Sequence, residues 1–326
     1  MTATAIHILY TGGTIGMIDS PQGLVPSAQD LEQAVRSAVR ETWPKVTLHW
    51  LSIEPLKDSS QAAMADWARL GQHILELSQF NEPILILHGT DTLAYASSAL
   101  TFLLPQVHPA VVMTGSQKPW QDPQSDAPSN LHTAVKWALT APTNTVYLAF
   151  NNTIFYGSHV TKYNAMGRDA FMAPQGIQQQ TSGRKNNIST LHNWHHKQIE
   201  IITCHPGTEY QGLRAILQTQ PEVLIIKSLG SGNIPNVHAF LAAFSQAPSP
   251  VLVNHSQCLI AAPHQSTYAI NNALRDLPWV NPHTLTLEAL ICKLHLLPNT
   301  PLTASTVNAF LLNPIDHELP PIAQSL

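Results

Sequence analysis

Two glycines directly behind an apolar run, Thr11-Gly12-Gly13-Thr14, constrain this chain more than any other stretch. The run Ile6–Tyr10 predicts a buried strand, and glycines let the backbone behind it take positive φ or lie close against a ligand. Such a loop lies at the carboxyl edge of a sheet, where open α/β folds bind their ligands. The Thr14 hydroxyl is therefore a candidate nucleophile, although an alcohol depends on neighbouring groups for activation at neutral pH.

The remainder of the chain alternates short apolar runs with segments of helical periodicity. This alternation predicts an α/β protein with doubly wound, parallel-rich sheets. Between Tyr163 and Lys197 the rhythm stops, and glutamine, asparagine and glycine there are typical of loops. We therefore predict a larger N-terminal domain over residues 1–190 and a smaller C-terminal α/β domain over residues 198–326.

Two serines are expected to open helices of the first domain. Ser27 precedes Asp30 at the spacing of a capping box, and Ser60 precedes a run of apolar residues at helical spacing. Two closing helices are expected over His283–Leu297 and Thr303–Leu312 by the same periodicity. The expected strands of the first domain are Ile6–Tyr10, Val46–Ile53, Pro83–His88, Ala110–Thr114 and Thr145–Phe150.

Composition excludes several classes of partner. The net charge is −4 and no basic run exceeds two residues, which argues against nucleic acid. No apolar stretch reaches the roughly 18 residues of a membrane span, and the first residues lack the features of a signal peptide. Three widely separated cysteines argue against a disulfide framework and indicate a reducing, cytoplasmic compartment.

Polar residues follow each predicted strand of the first domain. Asp58-Ser59-Ser60 follows the second strand, Thr90-Asp91 the third and Thr114-Gly-Ser-Gln117 the fourth. Each group alone is also typical of ordinary turns and helix caps. Because the carboxyl ends of such strands share one edge, their repetition favours a ligand crevice lined by hydroxyls and carboxylates.

We predict no metal and no cofactor. The first loop lacks the glycine spacing of phosphate-binding loops. A cluster of histidines beside Cys204 fits no zinc-ligand spacing. Its members are His192, His195, His196 and His205.

The paired motifs Thr11-Gly-Gly-Thr14-Ile15 and His88-Gly-Thr90-Asp91-Thr92 resemble the bacterial L-asparaginases, and the cytoplasmic type most. The resemblance runs along nearly the whole chain and includes Asn254-x-x-Gln257-Cys258 in the second domain. It implies hydrolysis of L-asparagine to L-aspartate and ammonia, through a covalent acyl-enzyme formed on a threonine.

The resemblance also implies roles for individual residues. Thr14 matches the attacking threonine, Thr90 a second threonine, Asp91 the carboxylate that holds the α-amino group, and Lys162 the lysine paired with Thr90. Lys162 could act as a base only where burial beside little negative charge favours its neutral form. Three residues match the stretch that holds the substrate α-carboxylate: Asp58, Ser59 and Ser60.

One position departs from the family pattern. The family has a tyrosine in the mobile loop behind the first motif, and this chain has Leu24 there. Leucine has no exchangeable proton, so this position cannot activate Thr14. Tyr10 is expected to face the core and is no obvious substitute.

Three functions stay open at this point. The chain could be an asparaginase, or a related amidohydrolase acting on glutamine or another amide, including the amidase subunit of a tRNA-dependent amidotransferase. Those subunits usually carry an extra N-terminal domain, whereas the first strand here is expected at Ile6. Leu24 motivates the third function, an amino-acid-binding protein without catalysis.

The resemblance implies a homodimer or homotetramer, in which the C-terminal domain of one subunit closes the site of its neighbour. The small-molecule amide is then the only other expected partner. The resemblance also implies that the chain can bind asparagine at a second, regulatory site, and Lys227, Ser228 and Cys258 occur near its expected place.

Overall fold

The structure is a computed structural model that describes residues 5–313 and 315, apart from residues 22, 106, 142–144, 175–192, 245–249, 261–273, 275, 276, 278 and 283. The chain divides into two compact units, the first ending at Asn193 and the second beginning at Trp194. None of the helices within these described ranges has the length and apolar character needed to cross a bilayer.

The first unit is built on a six-stranded sheet in the order β4-β1-β5-β6-β7-β8. The first five strands run parallel, and β8 is antiparallel to β7. The central strand β5 is buried at every residue, as its unbroken apolar sequence predicts. The strands are β1 (Ala5–Gly12), β4 (Thr47–Lys57), β5 (Ile84–Leu87), β6 (Val111–Thr114), β7 (Val146–Phe150) and β8 (Thr153–Tyr156).

Helices connect these strands and confirm the α/β prediction. Helices α1 and α4 cover one face of the sheet, where their apolar stripes pack with Ile6, Ile8 and Tyr10 of β1. Helix α3 packs against β6, β7 and α2. The helices are α1 (Gln29–Thr42), α2 (Met64–Ser78), α3 (Leu93–Leu103) and α4 (Ala127–Thr140).

Two small antiparallel hairpins accompany this sheet. The first joins β2 (Met17–Ser20) to β3 (Gly23–Pro26), and the second joins β9 (Thr161–Lys162) to β10 (Phe171–Met172). The first hairpin occupies the segment that the family resemblance implies to be a mobile loop. Here that segment is paired in register, with Asp19 opposite Leu24.

The second unit has a four-stranded parallel sheet in the order β11-β12-β13-β14. Helices α5 and α6 pack on one face, and α7 and α8 pack on the other, which completes a doubly wound arrangement. The elements are β11 (Ile199–Thr203), α5 (Gln211–Gln218), β12 (Val223–Ser228), α6 (Val237–Phe244), β13 (Val251–Ser256), β14 (Trp279–Val280), α7 (Leu287–Leu294) and α8 (Ala304–Leu312).

Both predicted serine caps are wrong. The residue preceding α1 is Ala28, and its side chain makes no capping bond. Ser60 lies in a 3₁₀ turn before α2, which begins at Met64. At this helix start the side-chain bond comes from Asp66 in the first turn, whose carboxylate accepts from Ala63 N–H at 2.9 Å.

Two further element bounds differ from the sequence prediction. The second strand extends to Lys57 rather than ending at Ile53, because its carboxyl end continues beside β1 as far as Gly12. The first closing helix is shorter than predicted and begins at Leu287, where the Thr286 hydroxyl caps it by accepting from Ala289 N–H at 3.1 Å.

Candidate active site

The two glycine-threonine motifs lie against each other at the carboxyl edge of the first sheet. Gly13 has φ 86° and ψ 173°, a conformation that is essentially confined to glycine. A Cβ on Gly13 would lie less than 3.0 Å from the backbone of Gly89, and one on Gly89 would lie 2.5 Å from Ser59 Oγ. Three segments far apart in sequence therefore meet here at distances that only glycine allows.

Thr14 opens a 3₁₀ turn, Thr14–Gly16, directly behind β1. Its side chain is half-buried. Two backbone bonds fix the position of this turn: Gly13 N–H donates to Lys57 C=O at 2.9 Å, and Trp120 N–H donates to Ile15 C=O at 3.0 Å. The candidate nucleophile thus projects from a braced turn at the edge where ligands bind.

The stretch Asp58-Ser59-Ser60 lies next to the second motif. The Asp58 carboxylate accepts from Ser60 N–H at 2.9 Å and so caps the local 3₁₀ turn. Ser59 is buried, and its hydroxyl oxygen accepts from Asp91 N–H at 3.2 Å. Ser60 is exposed. Asp58 is exposed as well, so the side chains of Asp58 and Ser60, but not that of Ser59, are open to an incoming ligand.

Thr90, Asp91 and Lys162 form a hydrogen-bonded cluster. Lys162 Nζ lies 3.0 Å from Thr90 Oγ1 and 2.7 Å from Asp91 Oδ1. Thr90 is buried, the Lys162 side chain is 15% exposed and that of Asp91 is 61% exposed. The pairing of Lys162 with Thr90 agrees with the sequence expectation, but Lys162 does not lie beside little negative charge, because the Asp91 carboxylate contacts it directly.

His88, immediately before this cluster, is buried beneath the loop. Its Nδ1 lies 2.8 Å from Gly89 C=O, and since a carbonyl only accepts, Nδ1 carries the proton. Burial lowers the pKa of His88 below its ordinary value, against a smaller opposing effect of that carbonyl. At neutral pH the ring is therefore an uncharged donor that steadies the second motif.

Sequence reasoning noted Gln117 only as part of a polar stretch and gave it no role. Its side-chain Oε1 lies 3.2 Å from Thr90 Oγ1. The buried Asp126 carboxylate accepts from the N–H groups of Gln117 and Lys118 at 3.0 and 3.1 Å, and Asn130 Nδ2 donates to it at 3.0 Å. The only sequence signal was the position of this stretch behind a central strand.

Comparison with known proteins assigns this arrangement to a family. The family described as "Asparaginase, N-terminal" matches residues 5–195, and "Glutaminase/Asparaginase C-terminal domain" matches residues 198–311. This chain belongs to the asparaginase family. The resemblance read from its motifs is thereby confirmed.

Asparaginases from three named organisms align with nearly the whole chain. L-asparaginase 1 of Escherichia coli strain K12 is 33% identical over 338 residues, which cover 98% of this chain and 99% of that protein. The crystal structure of L-asparaginase I from Vibrio cholerae matches with a TM-score of 0.79 at 30% identity, covering 95% and 97%. The thermostable L-asparaginase from Thermococcus kodakarensis matches with a TM-score of 0.81 at 25% identity, covering 97% and 99%.

The hairpin β2–β3 is where this asparaginase-family chain departs from the tyrosine pattern. Leu24 is 48% exposed, and Ile18 and Val25 on the same hairpin are each 38% exposed. Tyr10, by contrast, is fully buried, as predicted, and its hydroxyl lies against Gly16 at the base of the hairpin. Burial raises the pKa of this phenol well above its usual range.

Three of the clustered histidines and the residues of the expected regulatory site lie in the second unit. Within the described residues no three metal-ligating side chains come together, and His192 falls outside those residues. Lys227 Nζ lies 3.1 Å from Ser256 C=O and 3.2 Å from His255 Nδ1. The regulatory site expected around Lys227 stays a prediction.

Proposed function

We propose that this asparaginase-family chain hydrolyses L-asparagine to L-aspartate and ammonia, with Thr14 as the nucleophile. The observation that supports this most is the backbone contact of Gly13 with Gly89. Through that contact the Thr14 turn and the Thr90–Asp91–Lys162 cluster share one edge of the sheet. A nucleophile and a proton-transfer group are the two parts that amide hydrolysis through an acyl-enzyme needs.

The substrate is a zwitterion, and the site offers a partner for each charge. Asp91 Oδ1 is engaged by Lys162, but the exposure of the carboxylate leaves Oδ2 able to accept from the α-ammonium. The α-carboxylate would bind to the Ser60 hydroxyl and nearby backbone N–H groups. Since like charges repel, the Asp58 carboxylate acts by capping that turn rather than by touching the substrate.

The chemical step then proceeds in two halves. Thr14 Oγ1 attacks the side-chain amide carbon and gives up its proton, the amide C–N bond breaks, and ammonia leaves with a proton. Water hydrolyses the resulting ester and returns the proton to Thr14. Thr90 and Lys162 form the proton-transfer pair, because their heavy atoms lie within hydrogen-bond reach.

Substrate binding would also change the state of that pair. In the free protein the Asp91 carboxylate forms an ion pair with Lys162 at 2.7 Å. When the α-ammonium of asparagine binds to the same carboxylate, it offsets part of that negative charge. Bound substrate would therefore weaken the ion pair between Asp91 and Lys162.

The assembly and compartment belong to the same proposal. We infer a homodimer or homotetramer in the cytoplasm, without nucleic acid or membrane. All three cysteines are free thiols, which supports a reducing compartment. Charged residues make up only 11% of the chain, which supports burial of surface between subunits.

Ammonia release from L-asparagine tests the proposal. The wild type is expected to turn over, and Thr14→Ala is expected to lose nearly all activity while its thermal midpoint stays within about 2 °C, since the side chain is half-buried and its turn is held by backbone bonds. Equal, slow ammonia release by both proteins would refute Thr14 as nucleophile.

Two further measurements distinguish the alternative functions. Faster release from glutamine, or from D-asparagine, would reassign the chain to a related amidohydrolase. Calorimetric binding of asparagine without consumption would favour the non-catalytic function that Leu24 motivates.

A further inference from the structure

The backbone of Gln117 is held in place by the Asp126 carboxylate. Its N–H lies 3.0 Å from both carboxylate oxygens of Asp126, a buried residue. Asn130 in turn fixes Asp126 by donating to one of those oxygens at 3.0 Å, and its amide also donates to Gly115 C=O at 3.0 Å. The main chain at Gln117 is therefore held firmly, and its side chain projects from a fixed point.

The orientation of the Gln117 amide follows from the chemistry of its neighbours. Its nitrogen lies 3.1 Å from the carbonyl oxygen of Gly167 and 3.4 Å from that of Asn164. Carbonyl oxygens only accept, so the NH₂ group must face them. The amide oxygen consequently faces Thr90 Oγ1 at 3.2 Å, and because this oxygen also only accepts, the Thr90 hydroxyl donates to it.

This direction determines the other contact of Thr90. With its proton directed at Gln117, Thr90 Oγ1 can only accept from Lys162 Nζ at 3.0 Å. The hydrogen bonds therefore run one way, from Lys162 through Thr90 to Gln117. Gln117 thereby fixes the rotation of the Thr90 hydroxyl and leaves an oxygen lone pair facing Lys162.

The carbonyls that orient Gln117 belong to the loop that follows Lys162. This loop, residues 163–170, connects β9 to β10. It is closed internally by Asn164, whose side-chain oxygen accepts from Met166 N–H at 2.9 Å and from Gly167 N–H at 3.0 Å. The Gln117 side chain thus contacts both Thr90 and the loop that follows Lys162.

We propose that Gln117 is a positioning residue for the Thr90–Lys162 pair, which sets the direction of the Thr90 hydroxyl and holds loop 163–170 against it. The inference rests on the proposed function, because it concerns the proton step of amide hydrolysis. Gln117 acts through Thr90 and needs no contact with the substrate.

Gln117→Met, which keeps the side-chain length and removes both polar atoms, tests the proposal. We expect kcat for asparagine to fall by about 10- to 100-fold, the effect of a misdirected proton-transfer group. KM should change by less than about threefold, because the residues proposed to hold the substrate charges stay in place. The solvent deuterium isotope effect on kcat should rise, since proton transfer then limits turnover.

Gln117→Glu supplies a second readout. A protonated carboxyl can donate to Gly167 C=O and accept from Thr90, as the amide does. An ionised carboxylate would face two carbonyl oxygens that it cannot satisfy. Its kcat should therefore fall as pH rises through the titration of the new carboxyl, in a range where the wild type does not change. If Gln117→Met fails to fold, the pH dependence of kcat in Gln117→Glu tests the proposal by itself.

Gln124→Met is the matched control. Gln124 is exposed and lies in the same loop as Gln117, between β6 and α4, and its side chain contacts Lys118 rather than Thr90. It should retain wild-type kcat. Wild-type kcat and isotope effect in Gln117→Met would overturn the proposal, as would equal losses in both methionine variants.

Hydrogen exchange separates this inference from the proposed function. Amides in residues 163–170 should exchange faster in Gln117→Met than in Gln124→Met, whether or not asparagine is consumed. If the wild type released no ammonia, the proposed function alone would fail. Equal exchange in the two variants would overturn the Gln117 proposal even in an active enzyme.

Discussion

Replacing Gly13 by alanine tests whether backbone contact between the two motifs builds the site. Gly13 has φ 86°, and an added Cβ would lie less than 3.0 Å from both the Cα and the N of Gly89. These obstructing atoms are backbone, so no side-chain rotation can relieve the overlap. The Thr14 turn and the second motif must move apart to accommodate the methyl group.

Gly23 offers a control with the same conformational demand and no crowding. Its φ is 105°, and an added Cβ would meet nothing within 4 Å. Both substitutions cost about 1–3 kcal/mol of unfolding free energy for the strained backbone. Gly13→Ala adds an overpacking cost of about 1–3 kcal/mol. We therefore expect Gly13→Ala to be less stable than Gly23→Ala by about 1–3 kcal/mol.

Urea unfolding followed by tryptophan fluorescence measures this difference. Five of the seven tryptophans lie before residue 194, so the signal reports mainly on the first unit. Gly13→Ala should also lower kcat by about 100-fold or more, because a shift of about 1 Å at Thr14 destroys the attack geometry. Equal unfolding free energies for the two variants, with kcat retained in Gly13→Ala, would refute this account of the site.

Two further predictions concern the hairpin and the second unit. Leu24→Tyr places a phenol at an exposed position and should raise kcat for asparagine while leaving the thermal midpoint within about 2 °C. Leu24→Phe is the control. An equal rise in kcat for Leu24→Phe would show that ring size rather than the hydroxyl matters. Burial, reinforced by nearby Lys227, lowers the pKa of His255 from 6.5 to about 4. The unfolded chain then binds the proton first, so stability is lost as pH falls from about 6.5 to about 4, by about 3 kcal/mol in total. His255→Asn should remove this part of the acid destabilisation in urea titrations at pH 7 and pH 4, and identical pH slopes for both proteins would contradict it.

The order of elements was predictable because each depends on local sequence pattern. The apolar run Ile84–Leu87 is buried on both faces, and the polar residues behind successive strands do meet at one edge. The helix starts were not predictable from serine positions. At α2 the carboxylate of Asp66 satisfies the free N–H of Ala63, and several residue types can perform that task equally well.

The candidate site was predictable where it depends on side chains with distinctive chemistry. The pairing of Lys162 with Thr90 was expected from the family resemblance, and the structure has it at 3.0 Å. The contact of Asp91 with the same lysine was not expected, because sequence spacing does not tell which of two neighbouring groups a long flexible side chain will reach. Gln117 was missed for a similar reason, since two of its partners are backbone carbonyls that carry no sequence signal.

The loop between β6 and α4 contacts both the Thr14 turn and Thr90. At one point it contacts the Thr14 turn, where Trp120 N–H donates to Ile15 C=O, and three residues earlier it contacts Thr90 through Gln117. Asp126 holds the intervening chain by accepting from successive backbone N–H groups. The two threonines are therefore positioned by a common rigid segment rather than by the hairpin that bears Leu24. Leucine at position 24 supplies no proton acceptor but leaves the relative placement of the proposed nucleophile and the proposed proton-transfer pair intact, so we expect any deficit to be in kcat and to be recoverable at position 24.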